Sequence, residues 1–225
     1  MKTTLDFLNL LQANNNKPWF DAHREMYLEA KARFEAFVQR LIDEVVRFDP
    51  STAGATVKEC VFRIYRDTRF SHNKNPYKTH MGALICPHGR NSGYAGYYFH
   101  IEAHGAQYIG GHLLAAGAHM PMPKELESIR TEILDNPQGF VHSLETARGF
   151  ELSHSSKLQR VPKGFPSDSE WTEYFKYRDY SISKPLPEKK LLASDLLEYV
   201  AGELRATSEF VALLNRAIEY AKKEM

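Results

Sequence analysis

The sequence predicts an α+β fold in a single domain over residues 1–225, with a mainly antiparallel sheet of about four to six strands packed by long N- and C-terminal helices. Apolar residues recur every three or four positions at both ends of the chain, as amphipathic helices require. The middle holds short β-branched and aromatic runs bounded by Gly, Pro and Asn. No internal repeat, low-complexity tract or linker divides the 225 residues, a length that can bury a sizeable core.

Taken in order, Thr3 or Thr4 is placed to cap a short helix carrying Leu5, Leu8 and Leu11, ended by Asn14-Asn15-Asn16. Pro18 opens a second helix, and the spacing from Trp19 to Phe48 predicts one continuous element of about 45 Å at ~1.5 Å per residue. Trp19 and Phe20 are expected to pack at its entrance. Val61–Arg66, Met81–Cys86 and Tyr97–Ala103 read as strands. Ala106–Gly110 reads as the partner of Tyr97–Ala103 across a His104-Gly105 type I′ turn. That register opposes Glu102 to Gln107 and His100 to Ile109. It also puts Tyr97, Phe99, Ile101 and Tyr108 on the core face, with Tyr98, His100 and Glu102 on the other. Helices are expected over Lys124–Leu134 and from Pro137 to Ala147, and a late strand over Tyr180–Leu186. Ser194 is placed to cap a final helical segment with a kink or split at Thr207-Ser208. Ser153–Ser156, which includes His154, reads as loop rather than a serine nucleophile, because no strand-turn-helix surrounds it.

The net charge of +1 argues against a wholly basic nucleic-acid binder, but the charge is uneven. Lys58–Arg90 holds seven Lys/Arg against two acids, a local +5 on a remainder of −4. Cys60 and Cys86 have neither disulfide-framework nor zinc-site spacing and read as buried thiols in a reducing compartment. With no secretory pattern and no stretch of ~18 apolar residues, a cytoplasmic location without membrane contact is expected.

Within the electropositive segment, Arg63, Arg66, Arg69, Lys74 and Lys78 are interleaved with Asp67 and Tyr77. Guanidinium forks and a mobile ammonium suit carboxylate or phosphate, Tyr77 adds a hydroxyl, and Asp67 can orient one guanidinium. A small anionic ligand is the first reading. Nucleic acid held by the same patch, with Tyr65, Tyr77, Tyr94, Tyr97 and Phe70 available for stacking, is the second. A structural network in which Asp67 and other acids pair the arginines is the third. His100 and Glu102 are candidate catalytic residues, imidazole for proton transfer and carboxylate as its orienter. His104 falls in the expected turn, which leaves two ligands, too few for a metal site. No metal or cofactor is expected: Gly110-Gly111 lacks the G-x-G-x-x-G or G-K-[ST] context of a nucleotide loop.

The run Arg63-x-x-Arg66-Asp67-x-Arg69-Phe70, followed by Asn73-Lys74-x-x-Tyr77, resembles the signature of an uncharacterised, mainly bacterial family catalogued as domain of unknown function 2461. The resemblance runs from Leu5-Asp6-Phe7-Leu8 and Trp19-Phe20, through Val161–Pro166 and Tyr180–Leu186, to the C-terminal helix. His100 and Glu102 match its pattern; His104 does not. It implies residues of interest but no activity, since none is assigned to the family.

Overall fold

The computed structural model describes residues 1–153 and 156–224. Its centre is one antiparallel sheet of β1 (His80–Ile85), β2 (Gly96–Glu102), β3 (Leu113–Ala118), β4 (Glu151–Leu152) and β5 (Tyr180–Pro185), in the order β1-β2-β3-β5-β4. Helices α1 (Lys2–Ala13), α2 (Lys17–Ala22), α3 (Arg24–Phe48) and the short α4 (Val57–Cys60) precede the sheet. Helices α5 (Pro123–Asp135) and α6 (Pro137–Thr146) follow β3, α7 (Thr172–Phe175) precedes β5, and α8 (Glu188–Leu191), α9 (Leu196–Arg205) and α10 (Ser208–Lys223) end the chain. Two residues, Ala206 and Thr207, separate α9 from α10, so the expected split is present. No described helix is long and apolar enough to cross a membrane.

Directly opposed residues share a face, and the register places Met81, Ala83 and Ile85 beside Ile101, Phe99 and Tyr97, then Leu114 and Ala116, then Ile182. All of these are buried. Phe34 and Phe37 of α3 pack on Phe99 at 6.0 and 4.8 Å between ring centres, and Phe48 meets Tyr97 edge-on. This is the expected core face of β2. The second face carries His80, Gly82 and Leu84, then Tyr98, His100 and Glu102, then Leu113 and Ala115, then Ser181 and Ser183. Leu84, Tyr98, Leu113, Ala115, Ser181 and Ser183 are only half-buried, which makes this the more open face.

Five expectations are corrected. The helix from Trp19 breaks at His23 (φ −112°, ψ 26°), whose ring stacks on Trp19 at 4.2 Å; the break re-aims α2 so that Phe20 reaches Tyr77. Val61–Arg66 is extended but makes only isolated bridges, Val61 to Ala83 and Tyr65 to Tyr77. Arg66 N–H donates to the Pro76 carbonyl, and Pro76 has no N–H with which to complete a ladder. The partner of β2 is Leu113–Ala118 rather than Ala106–Gly110, so His100 stands opposite Leu113 and Gly82, not Ile109. The Glu102 side chain recruits the 108–111 backbone, which removes those N–H groups from strand pairing and leaves Tyr108 67% exposed instead of in the core. Finally, Thr3 and Thr4 lie inside α1, where the Thr4 hydroxyl donates to the Ala30 carbonyl, and α9 begins after Asp195 without a side-chain cap from Ser194. The His154 of the Ser153–Ser156 stretch lies outside the described residues.

Candidate functional site

Alternation along β2 puts Tyr98, His100 and Glu102 in one row on the open face, and hydrogen bonds join them end to end. The Tyr98 hydroxyl is 2.9 Å from His100 Nδ1, and His100 Nε2 is 3.4 Å from Glu102 Oε2. His100 and Glu102 are fully buried; Tyr98 is the half-exposed end of the row. The Glu102 carboxylate accepts from the backbone N–H groups of Tyr108, Ile109, Gly110 and Gly111 at 2.8–3.4 Å. Positive φ at Gly110 (95°) and Gly111 (157°) lets successive N–H groups converge on it.

Burial resists a charge on Glu102, but the N–H groups of Tyr108, Ile109 and Gly111 and the His100 ring outweigh it and hold the carboxyl below its usual range. Burial pushes His100 down to about 4 against the pull of Glu102, so the imidazole is neutral at pH 7. His80, its ring 4.9 Å from His100 and stacked on Tyr108 at 4.1 Å, is driven down to about 3 by burial, with His100, Lys78 and Arg66 adding to the effect. His112 accepts the Glu102 backbone N–H on Nδ1 at 3.1 Å and is also lowered by burial. Among the described residues, no group of three His, Cys, Asp or Glu is arranged to hold a metal ion.

The basic signature divides into three parts. Arg66 is turned onto its own loop, Nη1 donating to the Asn75 carbonyl and Nη2 to Ser71 Oγ at 3.0 and 3.2 Å. Arg69 pairs with Asp67 through Nη2 and Nε at 2.7 and 3.0 Å, both side chains exposed, and Lys74 donates to the Thr68 carbonyl. Tyr77 points the opposite way: its ring is buried and stacked on Phe20 at 3.9 Å, while Asn15 brackets its backbone N–H and carbonyl. Lys78 goes to the open face. Its ammonium sits 5.6 Å from the Phe62 ring centre, and the Arg90 guanidinium lies 5.6 Å from the same ring. Burial lowers the Lys78 pKa, and Arg63 and Arg90 lower it further. Among the described residues no ion pair includes Arg63, Lys78 or Arg90. Arg90 is tethered by Nη1 to the Lys58 and Glu59 carbonyls.

Phe62 connects the two clusters, since its ring meets that of Tyr98 edge-on at 6.1 Å. Of the residues named from the sequence, the fold therefore brings together Arg63, Lys78, His100 and Glu102, turns Arg69, Lys74 and Tyr77 elsewhere, and leaves Arg66 and Asp67 at the edge, bonded within their own loop while Arg66 still acts on His80 and Asp67 on Arg63. Sequence reasoning gave no role to Tyr98 or His80 and left Arg90 at the patch edge. The i, i+2, i+4 row was the available signal for Tyr98; nothing local pointed to Arg90. A cavity of about 350 Å³ opens beyond the 108–111 loop, but its lining includes Glu102 and Glu188 and no Lys or Arg, which does not suit an anion.

Residues 3–212 match the model of a family described as "Conserved hypothetical protein (DUF2461)". No curated protein and no solved structure matches the chain.

Proposed function

We propose, from the premise that the chain belongs to the conserved hypothetical family DUF2461, that it binds a small ligand bearing phosphate or carboxylate at the open-face corner formed by Arg63, Lys78 and Arg90 around Phe62. One observation carries this reading: among the described residues Lys78 and Arg90 share the Phe62 ring with no ion pair to either, and the half-buried Lys78 bears the repulsion of Arg63 and Arg90, of which only Arg63 also feels a carboxylate, that of Asp67. An anion there would relieve that repulsion, and a guanidinium fork beside an ammonium suits its geometry. His100 and Glu102 would then stand behind Tyr98 rather than touch the ligand. The two buried thiols, Cys60 raised to about 12 and Cys86 to about 11 chiefly by burial, fit a protein of the reducing cytoplasm.

The test is thermal unfolding with phosphate, sulfate and chloride at matched ionic strength. Phosphate is expected to raise stability with concentration, by ~2.7 kcal/mol at one hundred times its dissociation constant. Lys78→Met and Arg90→Gln should abolish the response, and Arg69→Gln, which removes only an exposed pair, should preserve it. A wild-type protein that does not distinguish these anions sinks the reading.

A second reading rests on the 66–76 loop, where Phe70 is 95% exposed with the Arg69 guanidinium 5.8 Å from its ring centre. An exposed aromatic beside Arg66, Arg69 and Lys74 suits stacking on single-stranded nucleic acid. Steeply salt-dependent binding of an oligonucleotide, lost in Phe70→Ala, would favour it over the small-anion site.

A further inference from the structure

The row on β2 has a direction, and Glu102 sets it. Four backbone N–H groups converge on its carboxylate, an arrangement that keeps it ionised and able only to accept. His100 Nε2 must therefore carry the proton that faces Glu102 Oε2. A neutral imidazole then has a bare Nδ1, so the hydrogen bond at that nitrogen is donated by the Tyr98 O–H. With its proton committed inward, the Tyr98 oxygen has only lone pairs left to offer elsewhere.

We infer that the Tyr98 oxygen is the hydrogen-bond-accepting end of the site, and that the anionic ligand bound beside it carries an O–H or N–H next to its charged group. This rests on the anion site at Lys78, which Phe62 links to the Tyr98 ring. No proton has to move: the ligand O–H or N–H donates to a lone pair of Tyr98 Oη while the Tyr98 O–H stays donated to His100 Nδ1. Tyr98 is the residue that touches the ligand; His100 and Glu102 are positioning residues that act through it. Burial, with Tyr108 and Glu102 nearby, raises the Tyr98 pKa, so the phenol is intact before the ligand arrives. Gly82, directly opposite His100, leaves space for the Tyr98 ring to lie along the sheet and reach Nδ1.

Two measurements test this. In ¹⁵N-labelled protein, long-range imidazole spectra should show His100 protonated on Nε2 and bare on Nδ1 across the neutral range. The Nδ1 resonance should move in Tyr98→Phe, which takes its donor away. A proton on Nδ1 overturns the inference. Calorimetry at fixed ionic strength then compares propyl phosphate with glycerol 3-phosphate, which share the anion and differ in hydroxyl groups. The wild type should prefer glycerol 3-phosphate by about tenfold, the equivalent of one hydrogen bond. Tyr98→Phe should erase the preference and leave propyl phosphate binding intact. Gly82→Ala, which displaces the ring but keeps the hydroxyl, should also erase it, so the test does not depend on one variant folding. Equal affinities in the wild type, or a preference that survives in Tyr98→Phe, overturn this inference and leave the anion site standing. Failure of both phosphates to bind overturns both.

Discussion

Gly82 makes room for Tyr98. A Cβ at Gly82 would stand 2.9 Å from both Cε2 and Cζ of the Tyr98 ring, closer than such atoms approach without displacement. Gly82→Ala is expected to cost about 1–3 kcal/mol by overpacking and to lift the ring from His100. Chemical denaturation gives the first and the His100 Nδ1 resonance the second. An unmoved resonance would show that the ring does not depend on this space.

Glu102 holds the 108–111 loop through backbone N–H groups and meets His100 at Oε2, the oxygen that also accepts from Ile109, Gly110 and Gly111. Glu102→Gln presents an NH₂ group to donors that need an acceptor. Stability should fall by about 2–4 kcal/mol, and amide exchange at Tyr108, Ile109, Gly110 and Gly111 should accelerate. Unchanged exchange at these four amides would contradict the bonding described.

Stability should decline on mild acidification because of two histidines. His80 and His100 have folded pKa values of about 3 and about 4, well below the ~6.5 of an unfolded histidine. Between those limits the unfolded chain binds protons that the folded chain refuses, so stability rises with pH there and is lost as pH falls from about 6.5 toward 4. The slope approaches ~1.4 kcal/mol per pH unit for each group at full strength. Urea titrations at a series of pH values measure it. His80→Gln should reduce the slope between pH ~4 and ~6, and an unaltered slope would place the dependence elsewhere.

Tyr77 separates a packing role from a ligand role within the same signature. Its ring is buried against Phe20, and no hydrogen bond from its hydroxyl is seen among the described residues. Tyr77→Phe should stay within ~0.5 kcal/mol of wild type, while Tyr77→Ala should lose about 3–5 kcal/mol. Both are read from denaturant midpoints. A large loss in Tyr77→Phe would mean that the hydroxyl, not the ring, is what matters.

Periodicity by itself determined the α+β class, the stripe of α3, and the assignment of Tyr97, Phe99 and Ile101 to one face of β2 with Tyr98, His100 and Glu102 on the other, and the Thr207-Ser208 pair marked the break between α9 and α10. Those features are set by side-chain spacing along a helix or strand, which any local stretch carries on its own. The expected hairpin after His104-Gly105 could not be judged that way. A turn-like dipeptide competes there with a carboxylate that collects N–H groups six to nine residues ahead, and it is the carboxylate that takes them.

The candidate site shows the same division more sharply. Composition picked out the segment in which the cations concentrate, and strand alternation picked out the His100–Glu102 row. Which cations meet was decided by tertiary structure. Arg66 finds carbonyl and hydroxyl oxygens in its own loop, Arg69 finds Asp67 two residues away, and Tyr77 is drawn inward by Phe20 from α2. Lys78, one residue later, follows the strand period outward and meets Arg90, which α4 holds by its carbonyls. Sequence spacing says which way a side chain leaves the backbone; only the packed chain says what waits there, because the partners come from segments far apart in sequence.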